Sequence, residues 1–446
     1  METILYMGSK KEVVDFIERS INHFLGGSNQ RTFFDVFCGS GRVAFHFRNK
    51  YQVITSDKQL FTKVIMDAYL CNTYPREHYV PFITHLNSLS DEYLEETDKW
   101  YSDTYSTDYN DGVSVGEDGK PKIWQRKNAV KIDMIRHRIE EMWETGSIGN
   151  TEKNVLLLSL ILAVNKISNM VGHQNGYLRD WCKHSGNDLT LKVPKINHSH
   201  TFNHKNYVGN VFELLGEIEE EYDIAYVDPP YGTNNKSVSI STVGRYTTFY
   251  HLWNTLVENH KPQVWGMANK PMSIKGKTFP LEMNVKAIVI PKFVRLIEEL
   301  KAKMVVFSYS NQGLLSPKDF EKVFEWGGCD MSSLILYRTP HKMNNQTVNA
   351  KKEGEHIQRA EESKVLYEYL FIAKKKETHT RITKAEDTHK EYEDIGVVNK
   401  WLMKSEDRDY LPKNTFTFID GQFLTQGQVV GVEERSELSL MEMLGL

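Results

Sequence analysis

Cysteine is scarce in this chain of 446 residues: Cys38, Cys71, Cys182 and Cys329 stand far apart and form no CxxC pair. That spacing argues against a zinc knuckle or a disulfide framework and for reduced thiols. Long apolar runs are missing as well. The longest, Val155 to Val164, contains Ser159 and is too short to span a bilayer. With no signal-peptide h-region at the N-terminus, a soluble cytoplasmic protein without a membrane partner is expected. Positive charge is not in excess either, since 55 Lys+Arg face 59 Asp+Glu for a formal net charge of −4. A polyanionic partner would have to be met by local basic surfaces, not by the molecule as a whole. No internal repeat appears. The tail beyond Lys376 carries no cluster of metal-binding carboxylates, which argues against a fused nuclease, and no metal site is expected.

What is present is organised around Ile224-Ala-Tyr-Val-Asp-Pro-Pro-Tyr231. Apolar and β-branched residues predict a buried strand that stops at Asp228, because each proline ring removes an N–H donor and fixes φ. Asp228, Pro229, Pro230 and Tyr231 then form a stiff loop at a strand's carboxyl end, where open α/β sheets place their chemistry. Its groups are nearly all acceptors, and Tyr231 adds an aromatic face. An acceptor corner beside a stacking ring suits a planar ring bearing an NH2 group, which describes a nucleobase.

A second pattern lies near the start. Thr32 to Phe37 reads as a buried strand, Cys38-Gly39-Ser40-Gly41 as a tight turn, Arg42 to Arg48 as a helix start, and Tyr51 to Ser56 as a second strand closed by Asp57. This is a βαβ unit with a cofactor grip. Gly39 and Gly41 let the backbone approach a ligand, and Asp57, eighteen residues after Gly39, suits ribose hydroxyls. Further along, Ser102 to Lys122 reads as a mobile loop. Lys120 to Arg138 is a basic stretch with Asp133 as its sole acid, and Asn154 to Met170 is an apolar helix. Late strands are expected at Leu334–Tyr337 and Tyr369–Ala373, with a long polar loop between them. The chain beyond Lys376 is charged and weakly patterned, ending in an amphipathic segment, Leu438 to Leu446.

With both patterns in place, the chain resembles the alpha-class (D12, Dam-like) adenine-N6 DNA methyltransferases. The matching pieces are Tyr6-Met-Gly-Ser-Lys10, Phe34-Asp-Val-Phe-Cys-Gly-Ser-Gly41, Asp228-Pro-Pro-Tyr231, Tyr250-His-Leu-Trp253, Phe307-Ser-Tyr-Ser-Asn311 and Tyr367-Glu-Tyr-Leu-Phe371. The resemblance implies an α/β, Rossmann-like sheet binding S-adenosylmethionine, with an inserted, mainly helical target-recognition region. It divides the chain into residues 1–84 and 207–376 of the catalytic domain, an insertion over 85–206, and an extension over 377–446. Tyr6, Gly8, Lys10, Asp35, Phe37, Gly39, Gly41, Asp57 and Asp228 would bind the cofactor, with Asp35 at its ammonium. Double-stranded DNA is the implied substrate, and a cognate restriction endonuclease the implied partner.

Two departures from the family pattern stand out. The Arg245-Tyr246 pair follows Asp-Pro-Pro-Tyr only after a polar insertion, Gly232 to Gly244, and Asn210 stands where an Asp is frequent. In the implied chemistry, Asp228 and the Pro229 carbonyl accept the two hydrogens of adenine N6, and Tyr231 stacks on a base flipped from the duplex. Lys122, Arg126, Lys127, Arg245, Tyr250, His251, Arg338 and Lys342 are the candidate DNA contacts. The alternatives are transfer to cytosine N4, which commonly has Ser in place of the Asp, and a catalytically silent member that only binds DNA.

Overall fold

A computed structural model describes residues 1–90, 93, 97–108, 112–170, 172–232, 245–277, 281, 285–341, 366–377 and 410–429. In chain order the elements used below begin with α1 (Val14–Leu25), β1 (Thr32–Asp35), α2 (Arg42–Phe47), β2 (Gln52–Asp57) and α3 (Leu60–Leu70). Then come α4 (Arg126–Glu144), α5 (Asn150–Lys166), β3 (Lys205–Val208), β4 (Tyr222–Val227) and α6 (His251–Glu258). The chain continues through α7 (Lys286–Glu299), β5 (Ala302–Ser310), α8 (Pro317–Trp326), β6 (Ile335–His341), β7 (Leu366–Lys374), β8 (Thr415–Ile419) and β9 (Gln422–Thr425). It is mixed α/β, and it divides into two compact units. The first comprises Met1–Glu12, Gln30–Asp223 and Ser241–Glu282; the second comprises Val13–Asn29, Ile224–Ile240 and Met283–Leu446.

In the first unit, β1, β2 and β3 are parallel neighbours, with Asp35 opposite Thr55 and Asp57 opposite Val208. Strand, turn, helix, strand follow one another as the βαβ pattern predicts. Asn210, the departure from the family's Asp, caps the next helix by accepting from the Phe212 N–H. Between α3 and β3 the longest elements are helices. There α5 is apolar all round, with Val155 to Val164 buried, and it packs against α3 and α4. The stretch expected as a mobile loop is ordered where described. Trp100–Tyr105 is a helix, and Ser106–Thr107 pairs with Trp124–Gln125. Its aromatics account for the difference: Tyr101, Tyr105 and Trp124 are buried, and burying those rings outweighs the loop-like composition.

In the second unit, strands of the main sheet run in the order β9-β8-β6-β7-β5-β4. The late strands are longer than expected and antiparallel, with Glu368 opposite Ser310 and Ile335 opposite Ile372. The extension beyond 376 is not uniformly unpatterned, because β8 joins β6 in parallel and β9 folds back on β8. Asp420 and Gly421 both have positive φ, the two-residue turn that Asp-Gly favours between alternating strands. Phe418 packs against Phe16 of α1, which explains why this hairpin holds. The Leu438–Leu446 segment lies outside the described residues. No helix among the described residues is long and apolar enough to cross a membrane.

Candidate functional site

In the first unit, the turn after β1 is built from glycines that no other residue could replace without movement. Gly39 and Gly41 have φ of +49° and +72°; a Cβ on Gly39 would lie 2.9 Å from the Tyr6 ring, and one on Gly41 would overlap the Met66 methyl. The Gly39 N–H donates to the Asp57 carboxylate at 2.9 Å, and the Gln59 N–H donates to its other oxygen at 2.8 Å. The acid at the end of β2 is thereby fixed against the turn, as the spacing predicts. Burial pushes its pKa up to about 6, against the opposing pull of those backbone donors. Burial likewise pushes the Tyr6 phenol and the Cys38 thiol well up, with Asp57 adding to both, and leaves them neutral.

Tyr6 also stacks on Tyr250, centroids 4.4 Å apart and planes 8° from parallel, and the Tyr250 hydroxyl accepts from the Met7 N–H at 2.6 Å. Gly8, with φ +76°, passes the Tyr246 hydroxyl. Lys10 is buried in a short 3-10 helix, and Phe37 is half-buried in the turn. Asp35 is buried, and one of its oxygens accepts from the Ala44 N–H, tying β1 to α2. Motif reading did not single out Gln59 or Asn254. Asn254 donates to Gln59 and accepts from the Phe61 N–H, joining the end of β2 to α6. Lone amides carry no pattern in a sequence, so nothing there could have flagged them.

In the second unit, β4 ends at Val227 and Asp228 follows, half-buried, with Pro229 buried and Tyr231 half-buried. The Tyr231 ring lies 4.4 Å from that of Tyr309, tilted by 43°. Tyr309 is itself braced. A Cβ on Gly313 would overlap its ring, and its hydroxyl accepts from the Leu315 N–H. The loop therefore offers carboxylate and carbonyl acceptors beside an aromatic face held from behind.

The residues expected to meet DNA fare differently. Lys122 is buried, with its ammonium on Asp118 and the Thr104 carbonyl, which corrects the expected phosphate contact. Arg126 pairs with Asp103, and Lys127 pairs with Asp188. Tyr250 stacks on Tyr6 and is buried; it does not present a surface ring. His251 is buried too, with Nε2 on the Gln174 carbonyl, and burial pushes its pKa down to about 3; a neutral, enclosed imidazole is no DNA contact. Arg338 donates to the Thr417 hydroxyl across β6 and β8 and lies over the Tyr367 ring. Arg245 opens a short helix, and Lys342 lies outside the described residues.

A family model for the D12 class N6 adenine-specific DNA methyltransferase matches residues 6–290. The chain is 29% identical over 313 residues to modification methylase LlaI of Lactococcus lactis subsp. lactis, covering 70% of this chain and 46% of the relative. It is 27% identical over 375 residues to type II methyltransferase M.FokI of Planomicrobium okeanokoites, covering 83% and 52%. To modification methylase StsI of Streptococcus sanguinis it is 25% identical over 454 residues, covering 97% and 62%. The chain thus spans about half the length of the first two of these relatives and 62% of the third.

Proposed function

The chain belongs to the D12 class N6 adenine-specific DNA methyltransferase family, and from that membership we propose that it is the modification enzyme of a restriction-modification system. It methylates N6 of an adenine flipped from double-stranded DNA, with S-adenosylmethionine as donor. The observation that carries the reading is Asp57, bound to the Gly39 N–H beside the stacked Tyr6 and Tyr250. This donor set fits the cofactor: a carboxylate for ribose hydroxyls, tyrosine rings for a cationic centre, and a tight turn at positive φ that brings the Tyr6 ring against Gly39 beside that carboxylate. Asp57, Tyr6, Lys10 and Asp35 are the residues that would hold it. When bound, S-adenosylmethionine supplies a methyl already activated by its sulfonium.

The chain's own residues then prepare the acceptor. The N6 lone pair is delocalised into the ring, and the amine is a poor nucleophile until it pyramidalises. Asp228 and the Pro229 carbonyl accept its two hydrogens, favouring that geometry and stabilising the positive charge that develops on nitrogen. Asp228 is not required to deprotonate the neutral amine, since a proton leaves once the nitrogen is cationic. Flipping costs a few kcal/mol, and stacking on Tyr231 returns about 1–3 kcal/mol. Asp rather than Ser at position 228 favours adenine over cytosine N4. The intact turn and acceptor loop favour an active enzyme over a silent DNA-binding member. The region over 85–206 is its target-recognition insertion.

DNA incubated with the protein and S-adenosylmethionine, digested and analysed by mass spectrometry, should yield N6-methyl-2′-deoxyadenosine. N4-methylcytosine would move the reading to its rival, and neither product would remove it. Asp228→Ala should lower turnover by at least about 100-fold while leaving donor binding, measured by calorimetry, in place.

A further inference from the structure

From Asn259 to Leu281 the first unit carries Lys261, Lys270, Lys275 and Lys277 and not one Asp or Glu. Within this stretch Val264–Trp265 pairs antiparallel with Lys270–Pro271, and the bend is set by Gly266 and Asn269 at φ of +73° and +48°. The hairpin is rigidly held from one side. Tyr105 donates to the Asn269 carbonyl at 2.7 Å, Tyr177 to the Ala268 carbonyl at 3.0 Å, and Asn269 to the Thr104 carbonyl at 2.6 Å. Its other side is open: Met267 and Met272 are 54% and 42% exposed. Lys270 and Lys275 lie 5.1 and 5.7 Å from the Trp265 ring. Lys261 pairs with Asp98, but among the described residues Lys270, Lys275 and Lys277 have no carboxylate within ion-pair distance. Such a cluster repels itself unless an anion from outside meets it.

Contacts inside the same unit also join this hairpin to the Tyr6–Tyr250 wall. Lys270 donates to the Asn175 side chain, Gln174 is bonded to Phe249 and Leu252, and His173 stacks on Phe249 at 4.7 Å. Phe249 in turn meets Tyr250 edge to face.

We propose that the hairpin Val264–Pro271, with the turn that follows it, is a DNA-contact element. Lys270, Lys275 and Lys277 take backbone phosphates, while Met267 and Met272 lie against the sugars and base edges of the groove. The proposal rests on the reading of the chain as a DNA methyltransferase, and it places substrate contacts outside the 85–206 insertion. Rigid anchoring and exposed apolar tips beside ammonium groups that lack carboxylate partners are what groove-reading elements require.

The test is binding of the full chain to a fluorescent mixed-sequence duplex across a salt series, since phosphate contacts are sequence-independent. Removing one phosphate-bound lysine lowers the slope of log affinity against log salt by about 0.9, so Lys275→Ala with Lys277→Ala should flatten it by about 1.8. Arg126→Ala with Lys127→Ala, which removes two paired charges, should move it far less. A wild-type slope in the first variant, or an equal loss in the second, overturns the proposal. Methyl transfer by the wild type on DNA, measured in parallel, separates the two readings. Transfer with an unmoved slope in the first variant sinks the hairpin alone; the expected slope change without any transfer upholds the hairpin and sinks the enzyme. A wild type that neither binds nor transfers sinks both.

Discussion

Residues 120–138 carry seven Lys and Arg side chains and residues 261–277 carry four, so the first stretch looks the stronger polyanion site when only charge is counted. In the fold, five of those seven, Lys122, Arg126, Lys127, Arg136 and Arg138, find an acid: Asp118, Asp103, Asp188, Glu140 and Glu141. In the second stretch, Lys261 alone has such a partner among the described residues. Two of the five acids come from far along the chain, and a composition window cannot see them. A basic run therefore marks a binding surface only where the fold leaves it unneutralised, and the weaker run is the better candidate here.

If that contrast is sound, removing a charge from the first stretch harms the fold, while removing one from the second harms binding. Arg136 is the sharpest case. It is 1% exposed, and its guanidinium donates to the Leu256 and Val257 carbonyls at the end of α6 and to Glu140. Those carbonyls have no helical partner of their own. Arg136→Ala should lower unfolding free energy by about 3–5 kcal/mol, read from denaturant midpoints, whereas Lys277→Ala should stay within about 0.5 kcal/mol. Equal losses would erase the distinction between the two stretches. Lys122→Ala should fall between them, at about 1–3 kcal/mol, because the Thr104 carbonyl keeps its bond from Asn269.

Much of this molecule is legible in its sequence. The βαβ unit, the glycine turn with Asp57, and the strand ending at Asp228 all follow from periodicity and from residues with few conformational options. Pairing is not legible there. Two-residue strands such as Val264–Trp265 are too short to show alternation, and the lysines after them look like any solvated turn. The β8–β9 hairpin is readable in principle, since Asp420-Gly421 sits between alternating residues, but its charged surroundings mask it. Tyr250 and His251 stand out in the sequence as aromatic surface candidates, and the fold buries both. Their aromatic character is spent on the stack with Tyr6 and on burial, which depends on contacts as distant as Tyr6 and Gln174.

Carboxyls extend the comparison. Asp133, on α4, accepts from the Tyr101 and Ser102 N–H groups, and burial pushes it up to about 6, the same value as Asp57. For both, the folded pKa lies above the unfolded carboxyl value, so the contribution to stability rises as pH falls through 6 and levels off near 4. Their functional consequences differ. Asp57 should lose donor affinity as it protonates, up to about tenfold per pH unit below 6, while Tyr6 and Cys38 stay neutral throughout. Calorimetric titration of S-adenosylmethionine from pH 5 to pH 8 checks this. Asp133→Asn should leave that profile unmoved and Asp57→Asn should flatten it; a flat wild-type profile would detach Asp57 from the donor.

The smallest expected effect tests the comparison from its weakest side. Lys127 is exposed and still paired, at 2.5 Å from Asp188, with a second bond to the Gly186 carbonyl. Neighbourhood in sequence and surface accessibility both recommend it as a phosphate contact. An exposed pair contributes only about 0.2–1 kcal/mol, so a phosphate could displace Asp188 at little cost. Lys127→Ala should destabilise by no more than that amount and should leave the salt dependence of duplex binding unchanged. Asp188→Ala is the complementary probe. It frees the Lys127 ammonium, and if pairing is what withholds this residue from DNA, freeing it should steepen the salt slope by up to about 0.9. An unchanged slope in Asp188→Ala would mean that position, not pairing, keeps Lys127 from the duplex, and the rule drawn from the two stretches would have to be rewritten in terms of geometry alone.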